Sequence, residues 1–161
     1  MMKIRELKDS EAYFLEDMLY AAIFVPEGHE APPRSIIKEK SLSRYVSNWG
    51  KVKYDVAFVA EVDNELVGAV WGRLLTEENK GFGFVDNETP ELGMAVKAGF
   101  RNQGIGTKLI TTIIAQYQKI GVNHLSLSVD SANNAANLYQ RLGFRIVQAT
   151  ETSWTMKKEI K

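Results

Sequence analysis

The residues best suited to chemistry lie in one stretch, Glu91 to Thr107, which reads Glu-Leu-Gly-Met-Ala-Val-Lys-Ala-Gly-Phe-Arg-Asn-Gln-Gly-Ile-Gly-Thr. Its apolar first half predicts a strand ending at Val96, and a glycine-containing turn follows. Apolar residues then recur at helical spacing from Thr107 onward. The first turn of a helix has backbone N–H groups without intrahelical partners, and the helix dipole adds partial positive charge there. Because glycines let a ligand approach this backbone closely, the stretch predicts a phosphate site.

Two common phosphate motifs do not fit this turn. Gly99 and Gly104 have the glycine spacing of a Walker A loop, but Ile105-Gly106 follows where Lys-Ser/Thr is required. The dinucleotide fingerprint Gly-x-Gly-x-x-Gly would need a third glycine where Leu109 stands. A nucleotide-phosphate binder is therefore disfavoured. A turn whose glycines serve only steric needs stays open at this point.

Two motifs together resemble the GCN5-related N-acetyltransferase (GNAT) family. The residues from Arg101 to Gly106 fit the acyl-CoA pyrophosphate loop, Gln/Arg-x-x-Gly-x-Gly/Ala. The residues from Asn133 to Phe144 fit the second family element, Asn-x-Ala-x-x-Leu-Tyr-x-x-x-Gly-Phe, with one predicted strand between the two motifs. The resemblance covers Glu91 to about Val147, whereas the first ninety residues agree only in the order of elements. Ala98 stands where the family often has proline, which loosens the entry to the turn.

The resemblance implies acetyl-CoA as the acyl donor and no metal. The backbone of the strand at Met94, Ala95 and Val96 would pair with the pantetheine arm as an added strand does. The pyrophosphate would accept hydrogen bonds from the backbone of the turn, at Asn102, Gln103, Gly104, Ile105, Gly106 and Thr107.

Two side chains near the cofactor each have two interpretations. Arg101 would add positive charge beside the turn, or it is a solvated side chain that only begins the turn. Asn133 would contact the cofactor arm or cap the following helix, and both could hold at once.

The resemblance also implies two catalytic residues. Tyr139 stands at the family's tyrosine position near the CoA sulfur and would be the general acid; the alternative is a residue that only packs. Glu91 lies near the position of the carboxylate that accepts the proton of the amine, often through water; an ordinary charged strand end explains it equally well. A backbone N–H near Met94 or Ala95 would stabilise the oxyanion.

The resemblance implies an N-acetyltransferase that moves the acetyl group of acetyl-CoA to a primary amine of a small molecule or peptide. The chain has no cysteine, which removes the commonest covalent route and favours direct attack in a ternary complex. A non-catalytic acyl-CoA-binding regulatory module on the same fold is the alternative, because a fold and a cofactor loop alone do not establish catalysis.

The predicted elements give the order β-α-(α)-β-β-β-α-β-α-β-β. The expected fold is α/β (α+β), with a mixed, mostly antiparallel central sheet of about seven strands flanked by helices, as in the GNAT acyl-CoA N-acyltransferase fold. Helices are predicted from Asp9 or Ser10 to Ile23, weakly from Ser35 to Asn48, from Thr107 to Gln118, and from Asn133 or Asn134 to Leu142. The predicted strands are 3–7, 55–62, 66–75, 91–96, 124–130, 144–149 and 152–157, with a tight turn at Asp63-Asn64.

Composition narrows the remaining classes. A chain of 161 residues predicts one domain over 1–161, and zero net charge argues against a nucleic-acid partner. The charged N-terminus does not suit a signal peptide and no apolar run approaches ~18 residues, so a cytoplasmic protein without a membrane partner is expected. A metal site is not expected, because the two histidines lie on unlike elements. Exposed edge strands leave a homodimer possible.

Overall fold

The computed structural model of the protein describes residues 1–161, and its centre is one seven-stranded sheet in the order β1-β2-β3-β4-β5-β7-β6. The strands are β1 (Met2–Glu6), β2 (Val56–Val62), β3 (Glu65–Arg73), β4 (Glu91–Val96), β5 (His124–Asp130), β6 (Arg145–Ala149) and β7 (Ser153–Glu159). All neighbouring strands are antiparallel except β4 and β5. The predicted mixed, mostly antiparallel fold is confirmed.

Helices cover both faces of the sheet. They are α1 (Ala12–Ala21), α2 (Lys40–Ser43), α3 (Ile105–Lys119) and α4 (Ala135–Arg141). On one face, the apolar side chains of α3 and α4 pack with Leu92 and Leu127 in one cluster, and on the other face α1 packs with Trp71 and Ala95. Each fully buried leucine or isoleucine of α3, such as Leu109 or Ile113, contributes about 1.5–3 kcal/mol. The sheet thus separates two cores, and β4 contributes side chains to both.

Most predicted elements are confirmed within two residues, because their patterns are local. The turn at Asp63-Asn64 has positive φ at both residues, as the tight hairpin turn between β2 and β3 requires. The helix predicted from Ser35 to Asn48 is wrong as one element. The chain forms a 3-10 turn over Arg34–Lys38, an extended residue at Glu39, and the short α2. Ile37 and Tyr45, on either side of this break, both pack in the core on the α1 side of the sheet, so tertiary packing overrides the helical propensity of the stretch.

No helix of the structure combines the length and the apolar character needed to cross a membrane. This observation agrees with the absence of a long apolar run in the sequence.

Candidate active site

Strands β4 and β5 separate almost as soon as they meet. Their parallel pairing contains a single register pair, Glu91 with Ser126, whereas β4 pairs with β3 along its whole length. Just after β4, the Lys97 N–H donates to the carbonyl group of Val67 in β3 at 2.7 Å, which fixes the phase of the hydrogen-bond ladder between these strands. The side of the strand to which backbone groups point alternates along an antiparallel ladder. Ala95 therefore presents its backbone to β3, and Met94 and Val96 present theirs to the gap between β4 and β5.

The turn after β4 presents a set of backbone donors without partners. Residues 102–107 are termed the anion turn, and their backbone N–H groups have no acceptor in the protein. The first hydrogen bond at the start of α3 joins the Lys108 N–H to the Gly104 carbonyl at 3.2 Å. Gly104 precedes α3 with a φ of +80°, a conformation that favours glycine. No side chain caps this helix start. The donors and the dipole of a fifteen-residue helix thus favour an anion at this point.

Arg101 is bound to the end of β4. Its Nε donates to the Val96 carbonyl oxygen at 3.0 Å, and the side chain is exposed. This bond occupies one of the backbone acceptors that face the gap. It also holds the guanidinium group beside the anion turn, so that positive charge is retained there.

The anion turn, β4 and α4 meet at Gly106. A Cβ atom at Gly106 would lie 3.3 Å from Met94 Cε and 3.4 Å from Leu138 Cδ2. Leu138 directly precedes Tyr139, so the predicted phosphate turn, pantetheine strand and tyrosine are brought to one place.

Tyr139 is 7% exposed and packs edge-to-face on Phe144, with ring centroids 6.0 Å apart. Burial raises the pKa of its hydroxyl group to about 12, and no hydrogen bond contributes to this rise. The hydroxyl is therefore protonated at neutral pH and free to donate a hydrogen bond. Its ring also belongs to the core, so the packing role considered for this residue is present as well.

Asn133 caps α4, as one of its two interpretations expected. Its Oδ1 accepts the Ala135 N–H at 2.9 Å, and its carbonyl accepts the Ala136 N–H at 3.0 Å. The side-chain oxygen is thus occupied at the start of the helix that carries Tyr139.

Glu91 lies at the apex of the gap and is 3% exposed. Its Oε2 accepts hydrogen bonds from the Tyr45 hydroxyl and from the Gly83 N–H, the latter at 2.9 Å, while Oε1 is buried without a partner. Burial raises the pKa of Glu91 to about 7, against the opposing effects of the two hydrogen bonds and of the Arg44 charge. A carboxyl group with this pKa can exchange a proton near neutral pH.

Residues Gly81 to Phe84, termed the cover segment, close over this carboxyl. A Cβ atom at Gly81 would lie 2.3 Å from Glu91 Oε1, and one at Gly83 would lie 2.5 Å from the Leu127 carbonyl carbon of β5. Only glycines allow the segment to approach the sheet this closely. Phe82 is 62% exposed as a residue, so the segment presents an aromatic residue to solvent above the buried base candidate.

Sequence reasoning missed Tyr45 and the cover segment. Tyr45 is 46 residues from Glu91 in the chain, and no periodicity links them. The polar stretch around Gly81-Phe82-Gly83-Phe84 predicts only a loop or a distorted edge strand, although paired glycines are also typical of close backbone approach.

The sequence profile of the acetyltransferase (GNAT) family matches residues 19–144. The chain belongs to this family. The GNAT family uses acetyl-CoA, and both the family and the fold support acetyl transfer in general terms. The resemblance stated from the two motifs is therefore confirmed.

Curated relatives of this GNAT chain match it over about half its length. A probable N-acetyltransferase camello of Xenopus tropicalis is 34% identical over 89 residues, which are 55% of this chain and 37% of that protein. A mycothiol acetyltransferase of Streptomyces avermitilis is 33% identical over 88 residues, which are 54% of this chain and 26% of that protein. The matched regions span well under two thirds of these relatives.

Solved structures with the same fold cover the whole GNAT chain. The PaiA N-acetyltransferase of Thermoplasma acidophilum, in complex with coenzyme A, has a TM-score of 0.71 at 16% identity and covers 99% of each chain. The ribosomal-protein-S18-alanine N-acetyltransferase of Escherichia coli has a TM-score of 0.68 at 18% identity, over 100% of this chain and 95% of that one. At these identities the likeness establishes the fold.

Proposed function

We propose that the chain is a single-domain N-acetyltransferase that moves the acetyl group of acetyl-CoA to a primary amine by direct attack in a ternary complex. One observation carries this proposal. An unpaired strand edge on β4 and an unpaired set of helix N–H groups converge at Gly106, next to the helix that holds Tyr139. This combination suits a ligand with a strand-like amide arm joined to a pyrophosphate.

The backbone supplies most of the cofactor contacts in this proposal. Val96 N–H and the Met94 carbonyl would pair with the pantetheine arm, and Met94 N–H would stabilise the oxyanion. Ala95 has its backbone groups turned towards β3, so it contributes to this edge only by holding the strand in place. The anion turn, comprising residues 102–107, would bind the pyrophosphate, with Arg101 adding charge.

Glu91 is proposed as the proton acceptor for the amine. A general base works best when its pKa lies near the working pH, and burial brings the pKa of Glu91 to about 7. Its Oε1 has no partner and is the oxygen available to take a proton, directly or through a water molecule.

Tyr139 is proposed to donate a hydrogen bond to the leaving sulfur. A phenol whose pKa is raised to about 12 is a weaker acid than an ordinary thiol, for which the pKa is about 8.5. Full proton transfer to the thiolate would thus run uphill. Stabilising the thiolate by a hydrogen bond is the role that this pKa favours, and it refines the general-acid role implied by the family resemblance.

Gly104→Asp tests the cofactor site. A Cβ atom at Gly104 meets nothing within 4 Å, so the substitution acts through charge at the anion turn and through its positive φ. The matched control is Gly104→Asn, because asparagine has similar size and tolerance of positive φ but no charge. We expect the Kd for CoA, measured by calorimetry, to be at least about tenfold higher for Asp than for Asn. Equal CoA affinities of the two variants would show that the pyrophosphate does not bind at this turn.

One observation favours the second candidate, a non-catalytic acyl-CoA-binding module. Glu91 is 3% exposed beneath the cover segment, so an amine reaches it only if that segment moves or a water molecule connects them. Thiol release from acetyl-CoA across a panel of primary amines decides between the two. An enzyme releases CoA with at least one acceptor at a rate above hydrolysis, whereas a binding module retains CoA affinity and releases none.

A further inference from the structure

We propose that Tyr45 is a positioning residue for Glu91, whose hydroxyl group fixes which carboxyl oxygen takes the proton and couples that carboxyl to the cover segment. The catalytic part of this inference rests on the proposed function, because it gives Tyr45 a role only through Glu91. The coupling of Tyr45 to the Glu91 carboxyl can be tested without any acceptor amine.

The Tyr45 hydroxyl group joins two elements that are distant in sequence. It donates to Glu91 Oε2 and accepts the Phe82 N–H at 2.6 Å. The next amide of the cover segment, Gly83 N–H, donates to the same Oε2. Oε2 therefore has two donors and Oε1 has none, which holds the carboxyl in one rotamer and leaves Oε1 as the free acceptor.

Tyr45 is well suited to keep its hydrogen bond to Glu91 at every pH at which the protein would work. It is 7% exposed, and burial together with the neighbouring Glu91 charge raises the pKa of its hydroxyl group far above neutral. The hydroxyl thus stays protonated. It donates more strongly to a carboxylate than to a neutral carboxyl group, because charge-assisted hydrogen bonds are the stronger kind. Tyr45 accordingly favours the ionised form of Glu91.

Other charged groups near Glu91 come from the neighbouring elements. Arg44, next to Tyr45, lowers the pKa of Glu91 through its charge, and its side chain binds the Lys80 carbonyl just before the cover segment. Arg73 is the β3 register partner of Glu91, but its guanidinium group is paired with Asp55 at 2.9 Å and donates to the Arg44 carbonyl. On β5 the register partner is the uncharged Ser126. Tyr45 is thus the only side chain that hydrogen-bonds the carboxyl.

If Tyr45 had only a structural role, a different result would be expected on substitution. The ring packs with the α1-side core, so a structural residue would cost stability on substitution without moving any titration. Tyr45→Phe keeps the ring and removes only the hydroxyl. The matched control is Tyr117→Phe, which removes a buried hydroxyl that donates to the Tyr54 carbonyl at 2.8 Å on the opposite face of the sheet.

The direct measurement is a carbon-13 NMR titration of protein labelled at the glutamate side-chain carboxyls, with Glu91→Gln used to assign the Glu91 signal. The expected midpoint for Glu91 is about 7 in the wild type. A hydrogen bond to a charged group is worth enough to move the midpoint up by about one to two pH units in Tyr45→Phe. Tyr117→Phe should leave it in place.

The second measurement is the pH profile of kcat/KM with an amine that the wild type acetylates. Its acidic limb should move upward together with the NMR midpoint in Tyr45→Phe, and activity should recover at alkaline pH. Should the NMR midpoint stay at its wild-type value while thermal unfolding shows Tyr45→Phe to be folded, the inference is overturned, whatever the activity.

The remaining outcomes separate this inference from the proposed function. If the NMR midpoint moves but the rate profile does not, Tyr45 sets the state of a carboxyl that is not the base, and its catalytic positioning role is overturned. If no amine is acetylated by the wild type, the proposed function fails, and the NMR titration alone decides whether Tyr45 holds Glu91. If Tyr45→Phe does not fold, 3-fluorotyrosine at this position, a stronger donor, should lower the Glu91 midpoint, and an unchanged midpoint contradicts the inference.

Discussion

Replacing Glu91 with glutamine should make the protein more stable at alkaline pH, in keeping with the general trade-off between stability and activity at functional sites. Glu91 is 3% exposed, and burial raises its pKa from 4.5 to about 7. The folded chain therefore holds a proton that the unfolded chain releases in this window. The free energy of unfolding falls as pH rises from about 4.5 to about 7 and is then constant with respect to this group.

The magnitude follows from the width of this window. One pKa unit corresponds to about 1.4 kcal/mol, so the full effect of ionising Glu91 is about 3.5 kcal/mol. Glutamine keeps the shape and can accept the bonds from Tyr45 and Gly83 without carrying charge. Between about pH 5 and pH 8, the stability of Glu91→Gln should rise relative to the wild type by about 2 to 3 kcal/mol.

The assay is urea unfolding of both proteins at several pH values, with the free energy extrapolated to water. Glu151→Gln is the matched control, because Glu151 is exposed in the turn between β6 and β7 and should leave the pH dependence as in the wild type. Parallel curves for the wild type and Glu91→Gln would show that Glu91 is not a desolvated carboxyl. The reasoning about its suitability as a base would then fail.

Two further predictions concern Tyr139, the proposed hydrogen-bond donor to the leaving sulfur, and the buried ion pair between Arg73 and Asp55. Tyr139→Phe should keep the affinity for CoA and lower kcat by about 100-fold, because the leaving sulfur loses its hydrogen-bond donor; full activity with phenylalanine would leave Tyr139 a packing residue. Asp55→Ala should cost about 3–5 kcal/mol in thermal or urea unfolding, because Arg73, only 3% exposed in its side chain, would keep a buried charge without a carboxylate to neutralise it. Glu65→Ala breaks the exposed pair with Lys97 and should cost at most about 1 kcal/mol, so equal losses in these two variants would contradict the role of burial.

The second half of the molecule could be predicted closely because its signals are local. Glu91 to Val96 forms the predicted strand, and α3 begins at Ile105, two residues earlier than expected, because Gly104 takes the position before the helix. The anion turn depends on residues that are consecutive in sequence. Motif spacing therefore carried most of the information on this part of the candidate site.

The environment of the candidate base could not be predicted in the same way. Tyr45, Gly83 and Glu91 come from three separate elements, and only the folded sheet brings them together. Apolar spacing between residues 35 and 48 suggested one helix, but tertiary packing uses this stretch as two short pieces that place Tyr45. The sequence left Glu91 evenly divided between base and strand end, because its pKa depends on these non-local neighbours.

The single register pair between β4 and β5 also divides the sheet into two groups of strands. One register pair, Glu91 with Ser126, joins a group of four strands, β1 to β4, to a group of three strands, β5 to β7. Within the sheet, strand pairing joins these two groups only near Glu91, so no hydrogen bond between strands fixes the width of the gap at Val96. The amide of Val96 has no strand partner and should exchange its hydrogen with solvent quickly, while that of Ala95 is protected by β3. A ligand that paired with β4 in this gap would bridge the two groups of strands, and the stiffness of the whole sheet would then depend on whether the ligand is bound.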